Sequence, residues 1–193
     1  MDIWNYLAEA FDLPILDWIA ANLHCDFLDM LMPLITLLGD AGIFWILCSV
    51  ALICFPKYRK IGLSMGISLL IGLLVCNVTL KPLVARVRPY KYQWDHFRIT
   101  IPLLVEKLDD FSFPSGHTIA SFEAATALLL GNKKLGIPAM VLAVLIAFSR
   151  LYLYVHYPTD VLTSVVLGIG IAFLGTFLVK KGYALWESRK QAA

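Results

Sequence analysis

Long stretches of the chain carry no charged side chain, and their lengths are the first structural information in the sequence. Residues 61–80 are uncharged, and a helix of this length rises about 30 Å, the thickness of a bilayer's hydrocarbon core. Residues 161–179 form a second such run, and residues 135–149 with the apolar positions that follow form a third. Residues 41–56 form a shorter fourth run. These lengths are typical of membrane-spanning helices.

Two weaker apolar runs, each with one acidic residue, bring the number to six: 27–38 and 117–131. Backbone groups inside a bilayer need hydrogen-bond partners within the segment, so we predict that all six runs are helical. A soluble bundle with buried core helices is the alternative. It is disfavoured because several uncharged runs of spanning length exceed what a soluble core needs. The predicted fold is an all-α bundle of six transmembrane helices.

The first residues follow a different pattern. Residues 2–22 mix aromatic and aliphatic side chains with acids, and Pro14 divides the stretch. This pattern is typical of short amphipathic helices at the membrane surface, and a partly inserted segment is the alternative. We therefore expect a single domain over residues 1–193, with interfacial helices in 1–24 and a six-helix core in 25–180.

Composition supports a membrane protein. Hydrophobic residues make up 60% of the chain and charged residues 16%, against about 45–50% and about 25% in soluble domains. This balance argues against a soluble enzyme, a disordered tail and a nucleic-acid-binding domain. The net charge of +2 is too small to indicate a polyanionic partner.

The basic residues outside the apolar runs predict the orientation. Three clusters fall on one side of a six-helix arrangement: 57–60, 133–134 and 180–190. The positive-inside rule makes that side cytoplasmic. We therefore predict a multi-pass protein of the cell membrane with both termini in the cytoplasm and a long extracytoplasmic loop at 81–114.

That long loop does not follow the charge rule. Ten of the thirty charged residues lie in 81–110, and six of the ten are basic. Basic residues on the outer side indicate another task, such as binding an anion. A solvated loop with ordinary charges is the alternative, which we would favour if the motifs described next were missing.

Three motifs lie at the outer ends of the predicted helices: Lys81 with Arg88-Pro89, then Pro114-Ser115-Gly116-His117, then Ser149-Arg150 with His156 and Asp160. The first follows helix three, the second begins helix four, and the third joins helices five and six. Because these ends face the same side, three distant segments can form one pocket.

The residue types of these motifs suit a phosphate group. Lys81, Arg88 and Arg150 supply fixed positive charges, and the planar guanidinium fits phosphate oxygens. Ser115 and Gly116 lie at a helix start, where free N–H groups and partial positive charge attract anions. We therefore predict a phosphate-binding site.

Two histidines and one carboxylate provide candidate chemistry. If Asp160 accepts the hydrogen on one ring nitrogen of His156, the other nitrogen has a free lone pair and becomes a nucleophile. His117, from another helix, can donate a proton to a leaving oxygen. No carboxylate cluster typical of Mg²⁺ or Ca²⁺ is evident, so we expect no metal.

Together the motifs resemble the three signatures of the type 2 phosphatidic acid phosphatase superfamily, and they match at every signature position. The motif region covers 81–160, and the helix layout extends the resemblance over roughly 25–180. The resemblance implies a six-helix bundle with its site at the outer leaflet and no cofactor or metal.

The resemblance also implies a role for each motif residue. His156 would attack phosphorus and form a phosphohistidine, and Asp160 would orient it. His117 would protonate the leaving oxygen and then activate water. The remaining motif residues would hold the phosphate oxygens: Lys81, Arg88, Ser115, Gly116 and Arg150.

The implied substrate is a lipid phosphate in the bilayer, with no nucleic acid involved. The compact layout is similar to that of bacterial undecaprenyl diphosphate phosphatases, and phosphatidylglycerophosphate or phosphatidate is the alternative substrate. A lipid phosphotransferase, which would pass the phosphoryl group to an acceptor other than water, also fits the motifs. A non-catalytic lipid-phosphate binder or transporter is disfavoured because binding alone needs neither His117 nor the pair of His156 and Asp160.

Two further polar residues lie inside apolar runs. Glu123 follows His117 by six residues and lies about 240° away around the helix, so we expect it to have a structural partner within the bundle. Asn77 precedes Lys81 by four residues, which predicts that both lie on one helix face.

Overall fold

A computed structural model describes residues 3–192, which are helical with no strand among them. The helices are α1 (Ile3–Leu7), α2 (Leu13–Asn22), α3 (Asp26–Leu37), α4 (Ile43–Cys54), α5 (Arg59–Gly72), α6 (Lys81–Val84), α7 (Pro89–Phe97), α8 (Gly116–Gly131), α9 (Lys133–Tyr152) and α10 (Pro158–Ala192). π-Helical stretches at Ala8–Asp12 and Leu73–Leu80 join α1 to α2 and α5 to α6, and a 3₁₀ turn at Asp40–Gly42 precedes α4. The all-α prediction is confirmed.

Helices occur at all six predicted apolar runs, but the count of six membrane spans needs correction. Within the described residues, only 59–97, 133–152 and 158–191 are long and apolar enough to cross a bilayer alone. Helices α3 and α4 have 12 residues each and form a pair bent by only 41°, which counts as a fourth candidate span. A 12-residue helix rises about 18 Å, well short of a bilayer core. The first two runs thus form a bent helix pair that counts as at most one span, and not two antiparallel spans.

Helix α8 occupies the centre of the bundle. It packs against α5, α9 and α10, and ten of its 16 residues are buried. Its alanines pack with Trp45 of α4, Met65 of α5 and Ile146 of α9 in one apolar cluster. Small residues allow such close approach, because a Cβ at Gly136 of α9 would lie 2.2 Å from the Cα of Leu129 on α8.

The outer surface of the bundle is apolar. Large hydrophobic side chains project from the helices, including Val141 on α9 and Val166 and Phe173 on α10. A soluble protein rarely exposes so much continuous apolar surface, whereas a bilayer solvates it. The chain is a membrane protein.

The basic clusters lie together at one end of the bundle. Lys60 Nζ is 3.8 Å from Glu187 Oε1 and 4.5 Å from the ring centre of Tyr183, so the start of α5 meets the last turns of α10. The end of α8 lies at the same level, since a Cβ at Gly131 would lie 2.5 Å from Ile61 Cγ1.

Helices α1 and α2 lie at the opposite end, which carries the three motifs. Ala8, Leu13 and Leu16 pack with Tyr154 and Tyr157 there. The described N-terminal residues therefore lie at the end of the bundle away from the basic clusters. The terminal residues themselves, 1–2 and 193, lie outside the described part of the chain.

Candidate active site

The three motifs meet in one cavity of about 540 Å³. Helix ends bring them there: α6 begins at Lys81, α8 begins at Gly116, and Arg150 is in the last turn of α9. Six predicted site residues line the cavity: Lys81, Arg88, Gly116, His117, Arg150 and His156. Asp160 and Ser115 lie behind its wall, and both are fully buried.

Arg88 organises one side of the cavity. It is 4% exposed, and its Nη1 donates to the Val155 carbonyl at 2.7 Å and approaches His156 Nε2 at 3.2 Å. Arginine has no acceptor, so Nε2 must receive this hydrogen bond with its lone pair. The ring hydrogen of neutral His156 is therefore on Nδ1, and the lone pair of Nε2 faces the cationic side of the cavity.

His156 and Asp160 are adjacent, as the sequence predicted, but their contact is long. Nδ1 lies 3.5 Å from Asp160 Oδ2, and it has no hydrogen-bond partner among the described residues. Burial lowers the pKa of His156 well below its ordinary value, and the charges of Arg88 and Arg150 lower it further. The imidazole is thus neutral near pH 7, and its Nε2 lone pair, which accepts from Arg88 here, would be available to phosphorus once Arg88 donates to a phosphate oxygen instead. Catalytic hydrogen bonds are often long without substrate and tighten when it binds.

A carboxylate that the sequence analysis did not select bridges two of the cations. Asp110 lies in the loop before α8, and its side-chain oxygens are 2.5 Å from both Lys81 Nζ and Arg88 Nη2. Partial burial would raise the pKa of Asp110, but the hydrogen bonds from Lys81 and Arg88 outweigh it and lower the pKa to about 2. The carboxylate therefore stays charged at neutral and mildly acidic pH, where it occupies positions suited to phosphate oxygens.

Replacing Asp110 with asparagine should strengthen anion binding. The variant keeps the side-chain shape but removes the charge that competes for Lys81 and Arg88. We expect inorganic vanadate, a phosphate mimic, to bind several-fold more tightly, measured by titration calorimetry on purified protein. Asp109→Asn is the matched control one residue away, outside this cavity. Weaker vanadate binding by the Asp110 variant would show that Asp110 organises the cations and does not compete for them.

His117 also contacts an acid that the sequence analysis missed. Its Nε2 is 2.7 Å from Asp40 Oδ1, and since a carboxylate only accepts, Nε2 carries a hydrogen. Asp40 lies in the 3₁₀ turn before α4. The turn packs directly on the imidazole, because a Cβ at Gly39 would lie 2.6 Å from His117 Cδ2. The glycine-rich segment between two apolar runs was the available signal.

Arg150 has a buried donor that meets no acceptor among the described residues. Its Nη1 donates to Thr36 Oγ1 at 2.5 Å, whereas Nε is buried with no partner among the described residues. A buried N–H without an acceptor is costly, so an anion in the cavity would satisfy it.

Ser115 does not line the cavity, and its polar atoms have partners within the bundle. Its Oγ caps α8 by accepting from the Thr118 N–H at 3.5 Å, and its own N–H donates to Ser164 Oγ at 2.8 Å. Gly116 does line the cavity, and a Cβ there would lie 3.3 Å from Asn77 Nδ2. Asn77 lines the cavity together with Lys81.

The inner part of the cavity is apolar and extends between α4 and α5. Ile46 and Val50 line it from α4, and Leu70 and Leu73 from the α5 side. Glu123 lines it as well, and this carboxyl is 1% exposed with no partner for Oε1 among the described residues. The expected structural partner is thus missing for that oxygen.

Comparisons with known proteins agree with the motifs. A model of the PAP2 superfamily matches residues 58–183. The chain is 36% identical over 139 residues to an undecaprenyl-diphosphatase of Sulfolobus acidocaldarius, covering 72% of this chain and 65% of that protein, just under two thirds. It is 33% identical over 151 residues to undecaprenyl-diphosphatase BcrC of Bacillus subtilis, covering 78% of this chain and 75% of that protein.

A solved structure supports the same relationship. The transmembrane PAP2-type phosphatidylglycerolphosphate phosphatase of Bacillus subtilis aligns with a TM-score of 0.71 and 28% identity, over 92% of this chain and 90% of that chain. The names of these relatives describe phosphatases, which are hydrolases of phosphate esters or anhydrides. The superfamily predicted from the motifs is confirmed, and the chain belongs to the PAP2 superfamily.

Proposed function

We propose that this protein is a lipid phosphatase that removes phosphate from undecaprenyl diphosphate at the outer leaflet through a phosphohistidine intermediate. One observation carries the proposal: a single cavity joins a group of three cations and a histidine to apolar walls. A substrate with an anionic headgroup and a long hydrocarbon tail matches both parts.

The cations bind the terminal phosphate. Lys81, Arg88 and Arg150 approach its oxygens, and the substrate displaces the Asp110 carboxylate from the first two. The start of α8 at Gly116 adds partial positive charge. Phosphoryl transfer depends mainly on positioning and charge stabilisation, which this arrangement supplies without a further group.

His156 and His117 carry the two steps. The Nε2 lone pair of His156 attacks phosphorus, an N–P bond forms, and the bond to the leaving oxygen breaks. Asp160 accepts the Nδ1 hydrogen and stabilises the positive charge on the ring. His117 donates its proton to the leaving oxygen and then takes a proton from water, which cleaves the N–P bond and releases phosphate.

The relatives support polyprenyl diphosphate as substrate, since two of them are named undecaprenyl-diphosphatases. Phosphatidylglycerophosphate is the second candidate, because the solved phosphatase for that lipid shares the fold over most of the chain. The candidates differ in the leaving group, which is a lipid phosphate in the first and an alcohol in the second. A lipid phosphate leaves more readily than an alcohol, so hydrolysis of the diphosphate depends less on proton donation by His117.

The charge distribution supports an extracytoplasmic site. The basic clusters, with Lys60 near Glu187, lie at the end away from the cavity, which the positive-inside rule makes cytoplasmic. Residues 3–22 then lie outside with the site, while α10 ends inside. This requires an odd number of crossings, and five result if α3 and α4 together form one and the 16-residue α8, which is not among the four candidate spans, forms another. Five crossings replace the six expected from the apolar runs.

The direct test is a substrate panel assayed with purified protein in detergent and excess EDTA. We expect phosphate release from polyprenyl diphosphates with a higher kcat/KM than from phosphatidylglycerophosphate or phosphatidate. Reversal of that order would make phosphatidylglycerophosphate or phosphatidate the preferred substrate. Loss of all turnover in EDTA would contradict the metal-free mechanism. Binding of the lipids without phosphate release would favour a binder or transporter, and transfer of labelled phosphate to a lipid alcohol would indicate a phosphotransferase.

A further inference from the structure

A buried ion network lies behind His156, and one of its members comes from the N-terminal helices. Arg86 Nη1 is 2.5 Å from Asp160 Oδ1, and Arg86 Nη2 is 2.6 Å from Asp12 Oδ2. Asp12 and Asp160 are 0% exposed, and Arg86 is 5% exposed. One guanidinium thus links the carboxylate beside His156 to a carboxylate about 150 residues earlier in the chain.

Asp12 also fixes the first turn of α10. Its Oδ1 accepts from the Thr159 N–H at 2.9 Å, and its Oδ2 accepts from the Thr159 hydroxyl at 2.7 Å. The same hydroxyl accepts from Arg86 Nη1 at 2.7 Å. Because Thr159 is bonded directly to Asp160, these contacts hold the backbone that carries Asp160.

The network contains more carboxylates than cations. Two carboxylates share one guanidinium, so the group has a net charge of −1 and Asp160 is not neutralised by its own partner. Arg86 also lies 3.8 Å from the ring centre of Tyr157 and 4.9 Å from that of Trp4, which restricts its movement. Removing one partner from a buried ion group leaves the remaining charges badly compensated.

We propose that Asp12 is a positioning residue for the reaction: it holds Arg86 so that Asp160 is oriented, yet still negative enough to accept the His156 Nδ1 hydrogen. The N-terminal helices therefore complete the active site and are more than a membrane-surface anchor. This inference rests on the proposed function, because it assigns His156 as the nucleophile.

The charges of Asp12, Arg86 and Asp160 determine the direction in which the pH profile should move when Asp12 is replaced. Without the Asp12 charge, Arg86 is free to direct its full charge at Asp160, which then becomes a weaker acceptor for Nδ1–H. The imidazolium form of His156 loses stabilisation, so the nucleophile becomes less basic. The acidic limb of the pH profile should then move to lower pH, and the maximum rate should fall.

Other groups facing His156 are unchanged in this comparison. They are Lys81 and Arg88 beside α6 and α7, Asp110 from the loop, His117 from α8, Arg150 from α9 and Asp160 from α10. Tyr157 faces the network itself. Asp110 has a pKa of about 2, so it does not titrate in the range where the acidic limb is expected.

The test compares Asp12→Asn with Asp17→Asn in the full-length protein, using farnesyl diphosphate as the water-soluble probe. Asp17 anchors the same helices, since it accepts from the Tyr154 hydroxyl at 2.6 Å, but it does not contact Arg86 or Asp160. We expect Asp12→Asn to lower kcat by about 10- to 100-fold, as for groups that orient a functional histidine. Its acidic limb should shift down by roughly half a unit or more, in line with the loss of a nearby charge. Asp17→Asn should keep the wild-type profile.

A double variant separates positioning from folding. If Asp12 acts through Arg86, adding Asp12→Asn to Arg86→Gln should change kcat little further, whereas independent effects would add. Equal losses of kcat in the Asp12 and Asp17 variants, without a shift of the acidic limb, would overturn the inference. Asp12 would then be only a structural anchor for the N-terminal helices. An inactive wild-type protein would instead refute the proposed function, so the two failures are distinguishable.

Discussion

Replacing His156 with alanine is expected to abolish phosphate release while the protein still inserts and folds. The variant lacks the imidazole nitrogen that lies 3.2 Å from Arg88 Nη1, so the proposed covalent intermediate cannot form. The loss should be on the order of 10⁵-fold or more in kcat, as for other enzymes that lose their nucleophile. The measurement is phosphate release from farnesyl diphosphate by purified protein, with the thermal unfolding midpoint recorded for both proteins.

The matched control is His96→Ala at the same end of the bundle. His96 stacks on Tyr92 at 3.9 Å between ring centres and does not line the cavity. This variant should retain near-normal turnover. If the His156 variant turned over substrate at a similar rate, the assignment of the nucleophile would be wrong.

Replacing Asp160 with asparagine should cost about 10⁴-fold in kcat, by analogy with the carboxylate of a serine protease triad. The amide cannot stabilise the imidazolium as a carboxylate does, and it leaves Arg86 with Asp12 as its remaining charged partner. KM should change little, because Asp160 lies behind the cavity wall and does not reach the phosphate.

Asp29→Asn is the control for that change. Asp29 accepts from the Tyr152 hydroxyl at 2.5 Å near the same end but has no contact with His156. It should keep kcat within a few-fold of wild type. A large rise in KM with unchanged kcat for the Asp160 variant would contradict the orienting role and indicate a binding role instead.

The convergence of the motifs was predictable from the sequence because each lies at a helix end. Apolar runs of known length fix which ends share a side, so Lys81, His117 and Arg150 were expected together. The structure brings all three to one cavity although they come from different helices. The residue types then indicated the chemistry, because cations and imidazoles that lie side by side have few functions other than binding and transferring a phosphoryl group.

The partners of these residues were not predictable, because they depend on tertiary contacts. Asp12 lies in an amphipathic stretch with several other acids, and nothing in its local pattern distinguishes it from Asp17. Asp110 lies in a loop and Asp40 in a turn. In such segments no sequence periodicity indicates which way a side chain points. Their roles depend on which cation or imidazole the fold brings within 3 Å.

Helix geometry explains two further differences. Two spans were expected because residues 27–38 and 41–56 are separate apolar runs, but the chain bends between them by only 41°. Ser115 has the sequence context of an anion-binding helix start, yet its N–H is used by Ser164. A sequence shows which groups a helix start offers but not which neighbours already bind them.

Trapping the covalent intermediate tests the proposed mechanism most directly. Purified protein is mixed with farnesyl diphosphate labelled with ³²P at the terminal phosphate, quenched within milliseconds in alkali, digested and mapped by mass spectrometry. The mechanism predicts label that is stable in alkali, lost in acid and attached to His156, with none in the His156→Ala protein. Rapid turnover with no labelled protein, or label on another residue, would contradict it.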